Sequence, residues 1–83
     1  MKIAQSIEVK ISLGLHVRPA MEVAQILQQS QCKASITYEK KTINAESMIS
    51  LLSLAAPCGA VLSFNIEGVD AKETLQKIIA ALS

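Results

Sequence analysis

The sequence predicts an α+β fold, an open-faced sandwich in which three helices cover one face of a four-stranded antiparallel sheet. Four segments alternate apolar and polar residues, as strands with one buried face do, and three segments carry apolar residues at helical spacing. In chain order the elements read strand, helix, strand, strand, helix, strand, helix. Helices that bury one face of such a sheet leave the other face in water. Because 83 residues are enough for one small domain, we expect a single domain over residues 1–83.

The first strand and the first helix are predicted from the N-terminal third of the chain. Apolar residues occupy most odd positions up to Leu13, with polar residues between them. Gly14 breaks the alternation, and apolar residues resume at helical spacing. A helix is expected from about His16 to about Gln29. Pro19 lies in its first turn, where the N–H that proline lacks has no helical partner.

The next segment predicts a hairpin followed by a short helix. Residues 32–38 alternate and form the second strand, and residues 41–43 form a short third strand. Between them Glu39-Lys40 is expected to make a tight turn, although it lacks the Gly or Asn that such turns prefer. Ser47 is suited to cap the second helix.

The last two elements are a strand and a helix. Residues 60–67 alternate, and the chain turns at Gly68. Asp70 and Glu73 have the spacing of a capping box, in which each side chain bonds the other residue's backbone. The apolar face of a helix then extends over residues 71–82.

Charge and composition argue against several classes of protein. The net charge is +1 and aromatic residues make up 2% of the chain, so neither clustered cations nor stacking rings favour nucleic-acid binding. The most apolar stretch, residues 48–62, is interrupted by polar residues and is shorter than the roughly 20 residues that cross a bilayer. No secretory signal is visible, so we expect a cytoplasmic protein without membrane insertion.

The cysteines and the single histidine do not make a metal site. Cys32 and Cys58 fit no metal spacing, and His16 has no acidic or thiol neighbour to complete a coordination sphere. Without an export signal we expect two reduced, partly buried thiols, with one disulfide as the arithmetic alternative. No metal and no cofactor are expected.

The region around His16 has the composition of an anion site. His16 stands where the first helix begins, and unpaired N–H groups and a partial positive charge attract anions there. Gly14 lets the chain turn sharply before the helix, and Arg18 adds a permanent cation suited to phosphate oxygens. An imidazole in this position is suited to act as a nucleophile. The competing interpretation is a surface histidine that simply begins a helix.

Two segments resemble signatures of the HPr family, the histidine-containing phosphocarriers of the bacterial phosphoenolpyruvate:sugar phosphotransferase system. Residues 14–20, Gly-Leu-His-Val-Arg-Pro-Ala, resemble the active-site signature of that family. Residues 42–54, Thr-Ile-Asn-Ala-Glu-Ser-Met-Ile-Ser-Leu-Leu-Ser-Leu, resemble its regulatory-serine signature. The distance between the segments and the order of the elements also match the family. The resemblance therefore implies the HPr-like fold over the whole chain.

What the resemblance implies can be assigned residue by residue. His16 matches the histidine that is phosphorylated on Nδ1, and Arg18 matches the arginine beside it. Gly14, Leu15 and Pro19 match the residues that support the active site. The implied protein is a carrier of phosphoryl groups and not an independent catalyst.

The resemblance also implies partners. Phosphoenolpyruvate-charged Enzyme I is the implied donor, and the sugar-specific enzyme II A components are the implied acceptors. A third implied partner is HPr kinase/phosphorylase, which in many Gram-positive relatives phosphorylates the serine that Ser47 matches. We expect a monomer, because donor and acceptor must both reach His16. The alternative function is a regulatory HPr-like protein, nitrogen-linked or a Ser47-phosphorylated carbon regulator, that acts by protein binding and not by sugar uptake.

The second signature carries two further expectations. Ser47 matches the regulatory serine, and it is equally well explained as an ordinary helix N-cap. Met48, Ile49 and Leu52 resemble the apolar patch with which the family meets its partners. We expect Met48 to point outward and Leu51 inward.

The chain departs from the family pattern beside both signatures. Leu13 precedes Gly14 where many members carry a small polar residue. Glu46 precedes Ser47 where a basic residue is common, and this puts a carboxylate beside any phosphate on the serine. The second departure weakens the case for regulation, while the active-site signature itself is unaffected.

Overall fold

The computed structural model describes residues 1–83, and its elements follow the predicted order. They are β1 (Lys2–Glu8), α1 (Val17–Gln28), β2 (Cys32–Tyr38), β3 (Lys41–Asn44), α2 (Met48–Ser53), β4 (Val61–Gly68) and α3 (Ala71–Ala81). The strands form one antiparallel sheet in the order β1-β4-β2-β3. The predicted open-faced α+β sandwich is confirmed.

The helices cover one face of the sheet and bury its apolar side chains. Ile36 of β2 lies opposite Phe64 of β4, and both are buried. Val23 and Leu27 of α1 and Ile78 of α3 join the same core. Burying a large aliphatic side chain is worth about 1.5–3 kcal/mol, so this stripe fixes α1 firmly on the sheet. The position of the N-terminus of α1 follows from that packing.

The opposite face of the sheet stays polar, as the alternation predicts. The hydroxyl oxygens of Thr37 and Thr42 lie 2.8 Å apart across β2 and β3. Lys2 and Glu67 form an exposed ion pair with 3.6 Å between Nζ and Oε2. Among the helices of the other face, none combines the length and the apolar character needed to cross a membrane.

The first strand is shorter than the alternation predicts. β1 ends at Glu8, although the Val9 N–H still donates to the Ala60 carbonyl at 2.8 Å. The next N–H, that of Lys10, donates instead to the carbonyl of Leu82 at the end of α3, also at 2.8 Å. The chain therefore leaves β4 at this point. The expectation that Leu13 belongs to the strand is wrong, and its side chain is 76% exposed.

Two of the predicted turn and cap positions are confirmed. Ser47 caps α2, and its hydroxyl accepts a hydrogen bond from the Ser50 N–H at 3.2 Å. Glu39 and Lys40 make the hairpin turn with φ of 48° and 68°. Both residues thus adopt the left-handed conformation without being Gly or Asn, which costs roughly 1–2 kcal/mol for each. The pairing of β2 with β3 offsets this strain.

The predicted capping box at α3 is wrong. Asp70 is the N-cap residue, but its side chain makes no cap hydrogen bond. Its carboxylate instead accepts from the Gln31 N–H, at 3.2 Å and 3.3 Å for the two oxygens, and from the Cys32 thiol at 2.8 Å. Burial is the main reason that the pKa of the Cys32 thiol is raised. Asp70 thus ties the start of α3 to the start of β2.

The two cysteines carry free thiols. Cys32 is buried, while Cys58 is exposed in the segment between α2 and β4. The expectation of partial burial is wrong for Cys58, because residues 57–59 lie outside the core that the helices cover.

We predict that Asp70→Ala lowers the melting temperature near neutral pH, because the Gln31 N–H and the Cys32 thiol lose their acceptor. The hydrogen bond from Cys32, followed by that from Gln31, holds the pKa of Asp70 below its usual value. The ionised carboxylate therefore stabilises the fold above the ordinary aspartate pKa. This contribution is lost as the pH falls through the lowered pKa.

Calorimetric melting of both proteins between about pH 7 and pH 2 measures the effect. The difference between wild type and Asp70→Ala is expected to shrink on acidification. Glu73→Ala, which removes an exposed carboxylate from the same helix, is the control. A difference that does not change with pH would contradict a role for the charge of Asp70.

Candidate functional site

The single histidine of the chain lies at the N-terminus of α1 in the cap position. Its carbonyl accepts from the Ala20 N–H at 3.0 Å, which begins the helix, and its backbone is extended with φ −96° and ψ −167°. The imidazole of His16 makes no cap hydrogen bond. Side chains in this position usually bond the N–H groups of the first turn. The half-exposed ring of His16 leaves those groups open and is itself available for chemistry.

The first turn of α1 presents two N–H groups that have no acceptor in the chain. They belong to Val17 and Arg18, whereas Pro19 has no N–H and Ala20 already bonds to His16. No acidic residue lies in this turn. No side chain of the protein therefore neutralises the positive end of the helix dipole, which lies at the cap residue that carries the imidazole. This arrangement can receive an anion that is attached to the ring.

The loop before His16 is held by backbone contact with the segment that follows α2. Gly14 has φ +69°, and a Cβ on it would lie 2.5 Å from the Ala56 carbonyl oxygen and 2.8 Å from the Pro57 Cα. The Leu15 N–H donates to that same carbonyl at 2.8 Å, and the Leu15 side chain is buried. Only glycine permits this approach together with this φ. The loop thus fixes where His16 enters the helix.

Arg18 lies on the exposed side of α1 near its start. Its Nη1 donates to Oε1 of Glu22 at 3.3 Å, one turn along the helix. Sequence reasoning did not single out Glu22, although opposite charges at i and i+4 are a known signal for a helical pair. Pro19, next in the chain, is buried against the core.

Ser47 does not lie at the His16 end of α1. The carbonyl of Glu46, the residue before Ser47, accepts from Nε2 of Gln28 at 3.0 Å, and Gln28 is the last residue of α1. The start of α2 therefore lies beside the end of α1. At 1.5 Å per residue α1 is roughly 18 Å long, and Ser47 and His16 lie toward opposite ends of it. The structure does not bring the two signature residues into one site.

The second helix exposes less apolar surface than predicted. Ile49 is 78% exposed, but Met48 and Leu52 are half-buried against the core. Leu51 points inward as expected, whereas the outward orientation of Met48 is wrong. The reason is that α2 packs against both α1 and β3, so only the side that carries Ile49 remains free.

Exposed apolar residues also flank the histidine, and the sequence analysis missed them. Leu13, Val17 and Met21 all have large exposed fractions. Val17 and Met21 are one turn apart on α1 and lie outside its buried positions, a pattern that a helical projection would have shown. Ile49 on α2 is exposed as well, and we call these four residues the apolar rim. Surfaces of this kind are typical of sites where proteins meet.

Comparison with known proteins gives matches that extend over most of the chain. Residues 3–83 match the family model described as "PTS HPr component phosphorylation site". The chain is 41% identical over 75 residues to phosphocarrier protein HPr of Chlamydia pneumoniae, covering 90% of this chain and 69% of that protein. Across the chlamydial relatives that it matches, the chain spans between 62% and 69% of their length.

Two further similarities extend over nearly the whole chain. HPr-like protein Crh of Halalkalibacterium halodurans is 32% identical over 78 residues, with 94% of this chain and 93% of that protein covered. The crystal structure of a phosphocarrier protein HPr from Bacillus anthracis superposes with a TM-score of 0.91 at 29% identity. It covers 99% of this chain and 98% of that one.

We predict that Gly14→Ala destabilises the protein by about 3 kcal/mol, because it adds a steric clash to the backbone strain of a positive φ. Gly59→Ala is the matched control. Gly59 has φ +93°, but a Cβ there would meet no atom within 4 Å, so only the strain of about 1 kcal/mol is expected. Urea unfolding of both variants measures the difference. Equal losses would contradict the close packing of the loop on residues 56–57.

Proposed function

The chain belongs to the HPr family of phosphocarrier proteins, and we propose that it accepts a phosphoryl group on Nδ1 of His16. In this proposal phospho-Enzyme I is the donor, and the enzyme II A components of the sugar phosphotransferase system are the acceptors. The observation that carries the proposal is the uncapped N-terminus of α1, where the imidazole of His16 lies beside the free N–H groups of Val17 and Arg18. An anion site is thus built around a nucleophile.

The transfer is a substitution at phosphorus. The lone pair on Nδ1 of the neutral imidazole forms the new N–P bond, while the imidazole keeps its proton on Nε2. The bond from phosphorus to the donor breaks, and its electron pair stays with the donor. In the onward step the acceptor attacks phosphorus, the N–P bond breaks, and its electron pair returns to Nδ1. His16 ends as it began, so the chain carries the group without turnover of its own.

The surroundings of His16 are suited to hold a phosphoryl group weakly. The two free N–H groups and the helix dipole stabilise an anion by about 0.3–1 kcal/mol at an exposed site. The guanidinium of Arg18 adds a charge-assisted contact once it turns toward the ring. None of these groups is buried deeply enough to trap the phosphoryl group. A carrier needs this balance, because a group held too tightly would not pass to the acceptor.

The apolar rim is the surface that we assign to partner binding. Leu13, Val17 and Met21 lie close to His16 in the chain, and Ile49 is a further exposed apolar side chain on α2, which packs beside α1. Donor and acceptor would dock on the same residues in turn, and for this reason we propose that the chain acts as a monomer. Interfaces of this kind commonly owe most of their binding energy to a few buried apolar residues.

The regulatory function is the second candidate. It is supported by the likeness to Crh and by the position of Ser47 at a helix cap, where the dipole tolerates a phosphate. Against it stands the carboxylate of Glu46, which would repel that phosphate. The presence of His16 with an open helix terminus beside it supports the carrier function over the regulatory one.

We expect incubation with phosphoenolpyruvate and purified Enzyme I to raise the intact mass by one phosphoryl group. Acid should remove this group and alkali should spare it, because a phosphoramidate to imidazole is labile in acid. His16→Ala should show no gain, and Arg18→Ala should gain the group more slowly. Circular dichroism checks that both variants are folded. Acceptance by His16→Ala would overturn the assignment of the site.

Ile49→Ser should weaken binding to Enzyme I about tenfold, because burial of this side chain contributes on the order of 1–2 kcal/mol to docking. Val61→Ser, on β4 away from the helices, is the control. Val61 is also an exposed aliphatic residue, but it lies outside the apolar rim. Titration calorimetry measures both affinities. A similar loss for the two variants would contradict the assigned surface.

A further inference from the structure

Arg18 and Glu22 are the only ionisable side chains on α1, and they bind each other. The helix residues Val17–Gln28 carry no other charge. Nη1 of Arg18 lies 3.3 Å from Oε1 of Glu22, and neither side chain has another hydrogen bond or ion pair within the chain. The cation that the proposed function needs at His16 is therefore engaged elsewhere in the unphosphorylated protein.

To contact Glu22 and to contact a phosphoryl group on His16, the Arg18 side chain must extend in opposite directions along the helix. Glu22 lies four residues, about 6 Å along the axis, farther from the N-terminus of α1 than Arg18. A phosphoryl group on His16 would lie beyond the N-terminus, at the open end of the first turn. Nη1 of Arg18 cannot keep its contact with Glu22 while the guanidinium turns toward that end. The carboxylate and the phosphoryl group thus compete for one cation.

The pair with Glu22 is weak enough to be exchanged. Both side chains are partly in water, with 60% of the Arg18 and 39% of the Glu22 side chain exposed. Only one N–O contact is made, and the arginine precedes the glutamate, which is the less favourable order on a helix. A phosphoryl group offers more charge and three oxygens, so it can displace a single carboxylate.

We propose that Glu22 is a positioning residue that holds Arg18 between transfers and lowers the hold of Arg18 on the phosphoryl group. The inference rests on the proposed function of His16. Glu22 lines a surface groove between α1 and α3, which also contains Lys77. Glu22 and Lys77 form no ion pair in this groove, so Arg18 is the only cation that Glu22 binds within the chain. The exchange keeps the bound phosphoryl group easy to pass on.

Glu22→Gln tests the inference by measuring the equilibrium of phosphoryl transfer between Enzyme I and the full chain. Exposed helical pairs of this kind shift an equilibrium about twofold, and the shift should favour the phosphorylated chain. The phosphorus resonance of the phosphorylated variant should also titrate at lower pH than in wild type, because Arg18 is free to stay on the group. In the Arg18→Ala background, Glu22→Gln should change neither quantity.

Two controls separate this role from a structural one. Glu73→Gln makes the same charge change on α3 and should leave the equilibrium unaltered. In unphosphorylated Glu22→Gln, the Nε resonance of Arg18 should move toward that of a free arginine. If wild type is phosphorylated and Glu22→Gln has the same transfer equilibrium and phosphorus titration as wild type, the inference about Glu22 is overturned and the proposed function of His16 is not. If Glu22→Gln acts equally in the Arg18→Ala background, it is likewise overturned. A wild-type chain that accepts no phosphoryl group overturns both this inference and the proposed function.

Discussion

The close backbone contact between Gly14-Leu15 and residues 56–57 is the constraint on which the site depends. It places the carbonyl of Ala56 against the Leu15 N–H and leaves no room for a Cβ at position 14. The contact joins the loop after β1 to the segment after α2, two parts of the chain that are distant in sequence. Because the loop cannot shift, His16 enters α1 at one defined point. The position of the His16 backbone relative to the first-turn N–H groups is a consequence of that contact.

The N-terminus of α1 lacks the stabilising side-chain cap that helices commonly have. A Ser, Thr, Asp or Asn cap is commonly worth about 1 kcal/mol, and His16 provides no such bond. Pro19 removes one N–H, and the remaining two donors are left to solvent. The buried stripe of Val23, Ala24 and Leu27 holds the helix in place without the cap. Stability supplied in the middle of the helix thus allows its end to stay open for chemistry.

The two signature segments lie apart, but α1 and α2 connect them through hydrogen bonds and chain continuity. Ser47 and the end of α1 are linked by the bond from Gln28 to Glu46, while the far end of α2 leads to the residues that clamp Gly14. A phosphate on Ser47 would therefore lie close to Ile49, on the surface that we propose for docking, and not beside His16. The charge of such a phosphate would therefore alter the binding of partners more than the chemistry at the His16 imidazole.

The pattern of residues by itself determined the order of the elements, the buried faces and the helix that begins at His16, because these follow from local periodicity and from the special backbone of Gly and Pro. The same reasoning placed Ser47 as a cap and Leu51 in the core. Only the tertiary structure decided that Asp70 bonds to β2 and that β1 ends at Glu8, since both outcomes depend on acceptors supplied by distant parts of the chain. It also decided that Met48 is half-buried and that Gly14 is clamped. Hydrogen-bonding groups and apolar side chains take the partner that packing brings nearest, and a linear sequence does not contain that distance.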